Sequence, residues 1–372
     1  MPVYLDHNAT TALDPEVLDA MLPYMQGIHG NPSSVHRYGR LTRDAIESAR
    51  AQLAKLIDAQ PEQVIFTSGG TEANNMAIAG TLTGRISPVL AVSAIEHASI
   101  LSVAESVTSA RGKLVKIAVN PAGQVTEETL AEALASQPAL VSIMLANNET
   151  GVIQPVKQLA SNVHAGSSLF HTDGCQAVGK IPVSYRELDV DLLTLSGHKF
   201  YGPQGSGALV YKRHVDIKPI LYGGGQEKGF RSGTENIAAI VGLGKAAELA
   251  GQRLDTEAGQ IASLRDQLEQ GLRQMPQVQL FVPEGIPRLP NTLQFAVENY
   301  DGEALLMALD RKGFAVSSGS ACDSGKHEAS HVLLAMGVDP AIAGGAIRVS
   351  LGRHNTKQEV AAFLAELKHI VN

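Results

Sequence analysis

The apolar residues of this chain fall into two alternating patterns. Leu41, Ala45, Ile46, Ala49, Leu53, Leu56 and Ile57 line one face of a 3.6-residue period, which predicts an amphipathic helix. Shorter runs are apolar almost throughout and read as buried strands: "QVIFTS" (63–68), "PVLAVS" (88–93), "KLVKIAV" (113–119), "LVSIMLA" (140–146), "SLFHTD" (168–173), "VDLLTLS" (190–196) and "GALVYK" (207–212). Segments such as "TEANNMAIAG" (71–80) read as helices between them. Apolar strands alternating with helices imply an α/β fold whose mainly parallel sheet is covered on both faces. Near residue 250 the pattern changes. Ile261, Leu264, Leu268, Leu272 and Met275 predict a long amphipathic helix ended by Pro276. Strands at "NTLQFAV" (291–297) and "AIRVSLG" (346–352), with helices at 302–312, 328–336 and the C-terminus, form a more compact α+β unit. The domain boundary is expected at 250–256.

The length of 372 residues fits about two domains. A net charge of −7 argues against nucleic acid or an anionic membrane surface as partner. No apolar run approaches the length of a membrane span, and "MPVYLDHNATTALDP" shows no basic stretch followed by an apolar one. Two distant cysteines, Cys175 and Cys322, make no disulfide framework, so a reducing cytoplasm is expected.

One lysine changes the picture. In "LTLSGHKFYGPQG" (193–205), Lys199 stands at the mouth of a core strand before a Gly-Pro turn. Lysines perform covalent chemistry through Schiff bases, most often with pyridoxal phosphate. That cofactor asks for a lysine, a carboxylate at the pyridine nitrogen, a phosphate cradle and a group over the ring. Asp173 ends a strand and offers the carboxylate, although capping the next helix would also explain it. "SGGT" (68–71) opens a helix, where Gly70 and Thr71 suit an anion, although many strand–helix turns look alike. His97 follows another strand and could cover a ring, or merely sit at a helix start. Each signal is weak alone. Four of them after four separate core strands are not.

Taken in order, "YLDHNATT", "FTSGGTEANN", "IEHAS", "ANNETG", "FHTDGCQAVGK", "SGHKFYGPQGSGAL", "GGGQEKGFRSGTEN", "SSGSACDSG" and "RVSLGR" resemble the NifS/IscS-type cysteine desulfurases from about residue 4 to about 365. The resemblance implies a fold type I pyridoxal-phosphate transferase. Its large cofactor-binding domain would span residues 15–252, and its small domain residues 1–14 and 253–372, carrying the catalytic cysteine. It implies a homodimer that removes sulfur from L-cysteine, leaves L-alanine, and passes the sulfur to an acceptor such as an iron–sulfur scaffold. By that resemblance Lys199 carries the Schiff base, Asp173 faces the pyridine nitrogen and Gln176 the ring hydroxyl, and His97 stacks on the ring and helps move protons. Gly70, Thr71, Ser196 and His198 hold the phosphate, joined by Thr234 of the other subunit. Asn148 and Arg348 bind the substrate carboxylate, and Cys322 takes the persulfide.

Cys322 has its own argument. Its segment "SSGSACDSGK" is rich in small residues and predicts a flexible surface loop, and nearby Lys326 and His327 favour thiolate. Cys175 reads as a pocket-wall residue. Asp323 stands where the family usually has a small uncharged residue. Selenocysteine lyase or a related lyase is the neighbouring alternative, and a non-catalytic protein that kept the fold is a weaker one. "HEASH" (327–331) matches the zinc-hydrolase pattern, with His327 and His331 as ligands and Glu328 as base. The family's own pattern explains His331, no third ligand is evident, and no metal is expected.

Overall fold

The computed structural model describes residues 2–318 and 329–371. Val3–Tyr4 (β1) pairs in parallel with a later strand at the edge of the molecule. The main sheet follows: Val64–Thr67 (β2), Val89–Ser93 (β3), Lys113–Ile117 (β4), Leu140–Ser142 (β5), Leu169–Asp173 (β6), Leu192–Ser196 (β7) and Gly207–Tyr211 (β8). Their order is β2-β8-β7-β6-β5-β3-β4. All neighbours run parallel except at β8, which is antiparallel to β2 and β7. The reversal has a simple cause. β7 and β8 are joined by the turn around Lys199 and Pro203, with no crossover helix to carry the chain back. Central strands such as β7 and β8 are buried at every position, which explains their unbroken apolar composition.

Val278–Leu280 (β9), Thr292–Val297 (β10), Phe314–Ala315 (β11), Ser317–Ser318 (β12) and Ala346–Ser350 (β13) complete the strands among the described residues. The second sheet is antiparallel in the order β12-β13-β10-β9, and β1 pairs with β11. It has its own apolar cluster, with Phe295, Leu309, Ile347 and Phe363 at its centre. The main sheet is covered on its two faces by separate clusters, one around Phe170, Leu193 and Leu243, the other around Met76, Leu90 and Leu209.

The boundary expected at 250–256 falls inside a helix. One helix, Ile237–Arg273, runs for 37 residues through that point. Its first half is buried among the helices of the main sheet, where an added Cβ at Gly244 would lie 2.5 Å from the Ala49 backbone. Its second half supplies Leu264, Leu268 and Leu272 to the second sheet. Among the described residues no helix is long and apolar enough to cross a membrane.

Candidate functional site

Beyond the carboxyl ends of β2, β3, β6 and β7 lies a cavity of about 200 Å³. Open parallel sheets place ligand sites at such strand ends. Gly70, Thr71, His97, Asn148, Asp173, Gln176, Ser196, His198 and Lys199 all line it. Of the sequence-predicted site residues that the structure describes, Thr234 and Arg348 do not line it. Cys322 lies outside the described residues, as do His327 and Glu328 of the zinc-like pattern. Thr234 is exposed on the single chain. Arg348 is buried on β13, and its guanidinium donates to Asp6 (2.7 Å) and to the Asn148 carbonyl (3.1 Å).

The Lys199 turn is laced to the N-terminal segment. Lys199 Nζ donates to the carbonyls of Asn8 (2.7 Å) and Ala9 (2.9 Å). Thr11 donates its N–H (2.9 Å) and its hydroxyl (3.0 Å) to the His198 carbonyl, and Thr11 Oγ1 accepts from the Tyr201 N–H at 2.7 Å. His198 Nδ1 lies 3.1 Å from Thr10 Oγ1. Burial, with Lys199 and Lys180 nearby, pushes the His198 pKa down to about 4, so this imidazole is neutral at pH 7 and can give an N–H without charge.

A second line of hydrogen bonds joins Asp173 to His97. Asp173 Oδ1 accepts from the Cys175 N–H (2.9 Å), and its Oδ2 accepts from Asn74 Nδ2 (2.8 Å). Asn74 Nδ2 also reaches Ser99 Oγ (2.9 Å), which sits 2.8 Å from His97 Nδ1. His97 caps the helix Ala98–Thr108 by accepting the Ser99 N–H at 3.1 Å. Nδ1 is therefore an acceptor, which assigns the ring proton of the neutral imidazole to Nε2. Asn74 was not singled out in the sequence, where one asparagine of "EANN" looks like the other.

The cavity fits pyridoxal phosphate on the structure's own terms. The helix Gly70–Leu82 begins at its wall, so free N–H groups and the positive end of the dipole face it. An added Cβ at Gly70 would lie 2.7 Å from Cys175 Sγ, so only glycine keeps that approach open. Ser196 Oγ is buried without a hydrogen-bond partner among the described residues, an orphan hydroxyl that a phosphate oxygen would satisfy. Asp173 is a buried carboxylate, as a protonated ring nitrogen needs. Burial and Asp173 hold the Cys175 thiol well above its ordinary pKa, so it is a wall of the pocket and not a nucleophile.

Two buried carboxylates lie behind the site. Glu149 accepts from Ser330 Oγ and Gln294 Nε2, and burial raises its pKa. Glu96 accepts from Ser93 Oγ and the Met144 N–H, both at 2.7 Å, and burial raises it to about 8. His331 Nε2 donates to the Glu96 carbonyl (3.0 Å) and opens a short helix, His331–Ala335, so it is engaged by backbone. A carboxyl whose folded pKa lies above its unfolded value stabilises most at low pH and loses that contribution as pH rises through the folded pKa. Thermal stability is expected to fall between about pH 4.5 and about pH 8 on this account. Glu96→Gln should flatten that part of a Tm-against-pH curve, and an unchanged curve would contradict the assignment.

The aminotransferase class-V family pattern matches residues 3–363. A curated cysteine desulfurase of Cereibacter sphaeroides is 46% identical over 374 aligned residues, covering 100% of this chain and 96% of that protein. A solved NifS-like protein superposes with a TM-score of 0.93 at 38% identity, covering 100% of this chain and 99% of the other. A structure described as SspA in complex with cysteine gives a TM-score of 0.84 at 29% identity, covering 95% of this chain and 100% of the other.

Proposed function

This chain belongs to the class-V aminotransferase family, and we infer that it is a pyridoxal-phosphate-dependent cysteine desulfurase. The observation that carries the reading is the single cavity in which Lys199, Asp173, His97 and the Gly70–Thr71 helix terminus converge. Similarity to cysteine desulfurases over the whole chain supports the substrate, L-cysteine. Gly70, Thr71, Ser196 and His198 would hold the phosphate, with Thr234 reaching it from a second copy in a homodimer. Asp173 would face the ring nitrogen, Gln176 the ring hydroxyl and His97 the ring face.

When bound, pyridoxal phosphate supplies the electron sink that makes the substrate Cα acidic. The chain's own groups do the rest. Arg348 and Asn148 hold the substrate carboxylate, which adds an anion to a guanidinium already turned by Asp6. The Lys199 amine takes the Cα proton. The Cys322 thiolate attacks the substrate sulfur, the Cβ–S bond breaks with its electron pair on carbon, and Cβ takes a proton. The net result is one persulfide and one alanine, with no outside oxidant. His97, its proton on Nε2, is placed to serve the proton transfers. The persulfide then passes to an acceptor protein, such as an iron–sulfur scaffold, in the cytoplasm.

The test is alanine released from L-cysteine by the cofactor-loaded protein with a reductant present. Release at catalytic turnover supports the reading, and no release with the cofactor bound would overturn the substrate. Asp323 adds a separate expectation. A carboxylate beside the thiol disfavours thiolate, so Asp323→Thr is expected to speed persulfide formation by several-fold in single-turnover measurements. Equal rates would refute it.

A further inference from the structure

Lys180 ends the "FHTDGCQAVGK" segment and has no part in the reaction above. Its Nζ donates to Gln176 Oε1 at 2.6 Å and to Asn8 Oδ1 at 2.8 Å. Gln176 Nε2 donates to the Asn8 carbonyl at 3.0 Å, the oxygen that also accepts from Lys199 Nζ at 2.7 Å. Lys180 and Lys199 are thus joined through one asparagine.

The geometry fixes both amides. Asn8 Nδ2 donates to the Asn148 carbonyl (3.1 Å) and Thr292 Oγ1 (2.9 Å), while Asn291 Nδ2 donates to Asn8 Oδ1 (2.9 Å). A carbonyl only accepts, so Asn8 must turn its NH₂ to Asn148 and its oxygen to Lys180. An ammonium only donates, so Gln176 must turn Oε1 to Lys180. That leaves the Gln176 NH₂ toward Asn8 and the cavity that Gln176 lines. The residue can offer the ligand an N–H and not an acceptor.

Charge points the same way. Lys180 is faced by Lys199 and Arg348 and by the Cys175 thiol, and across a cavity of about 30 Å³ by His7 and Glu257. No carboxylate pairs with it among the described residues. Burial and the two cations hold the Lys180 pKa well below the lysine range, and an anion bound beside it would restore the charged form. The same amine contributes to pushing His7 and His198 down to about 4. A buried cation with no carboxylate of its own is relieved by an anion bound beside it.

We propose that Lys180 is a positioning residue for the reaction: it pins Gln176 so that an N–H faces the cofactor, and its charge makes the site favour an anionic oxygen on the cofactor ring. The inference rests on the pyridoxal phosphate reading. Removing that charge lets the protonated form of the bound chromophore persist to higher pH.

The experiment is a pH titration of visible absorbance on the cofactor-loaded parent, Lys180→Met and Lys180→Arg. The midpoint is expected to rise by about 1 unit or more in Lys180→Met. It should stay near the parent in Lys180→Arg, which keeps charge and donors. Should Lys180→Met not fold, Lys180→Gln, neutral but still a donor, takes its place with the same expected rise. A parental midpoint in the neutral variants would overturn the inference while leaving the cofactor reading intact. A parent with no visible cofactor band would overturn the cofactor reading and the inference with it.

Discussion

Replacing Lys199 with alanine is expected to lower alanine release from L-cysteine by about a thousandfold or more, within the range a positioned proton-transfer group contributes. The amine has two tasks, attachment of the cofactor and transfer of the Cα proton, so both are lost together. Its setting is specific. The turn Gly197–Lys199 follows the fully buried β7, and Nζ is held by two backbone carbonyls, Asn8 and Ala9. Lys199→Arg should not rescue, because a guanidinium stays protonated and cannot act as base. Folding should change little, by about 1 kcal/mol for the lost hydrogen bonds. Steady-state alanine assays beside thermal melts would check both parts. A loss of less than tenfold in a folded variant would contradict the role.

Cys322→Ala is expected to leave no sulfur on the protein and to reduce alanine release to near background, again by about a thousandfold or more, since no second thiolate is placed to take the sulfur. The structure supplies the contrast through the other cysteine. Cys175 packs against Gly70 beneath Asp173, with its thiol held protonated. Cys175→Ala should therefore keep activity within about tenfold. The described residues flanking Cys322 are tied to the site on both sides. Ser317 pairs with Arg348 across β12 and β13, and Ser330 donates to buried Glu149. If Cys175→Ala were the inactive variant and Cys322→Ala the active one, the assignment would be reversed.

Much of this was legible in the sequence because strand ends carry unusual residues. Lys199, Asp173, His97 and Gly70–Thr71 interrupt apolar runs, so each is visible in one dimension, and the cavity gathers all of them. What was not legible has two physical sources. Backbone partners carry no side-chain signature: the Asn8 and Ala9 carbonyls that hold Lys199 could be any residue's. Small residues at close helix contacts also break up the apolar stripe. Residues 237–250 bury Gly242, Gly244, Ala246 and Ala247 beside Ile240, Leu243 and Leu249, so small residues break up the apolar stripe and the period shows clearly only from Ile261 onward. Arg348 shows the same limit. The resemblance implies an anion site there, but its ion pair with Asp6 joins residues 342 positions apart. The reversal of β8 follows from a short connection, which the pattern of apolar strands did not distinguish from a crossover.

The central claim is that sulfur leaves L-cysteine onto Cys322. The most direct test is peptide mass analysis of the cofactor-loaded parent after brief exposure to L-cysteine without reductant. The account predicts one added sulfur atom on the peptide containing Cys322, in amounts matching the alanine released, and none on the peptide containing Cys175. Alanine formed with no sulfur on Cys322 would contradict it.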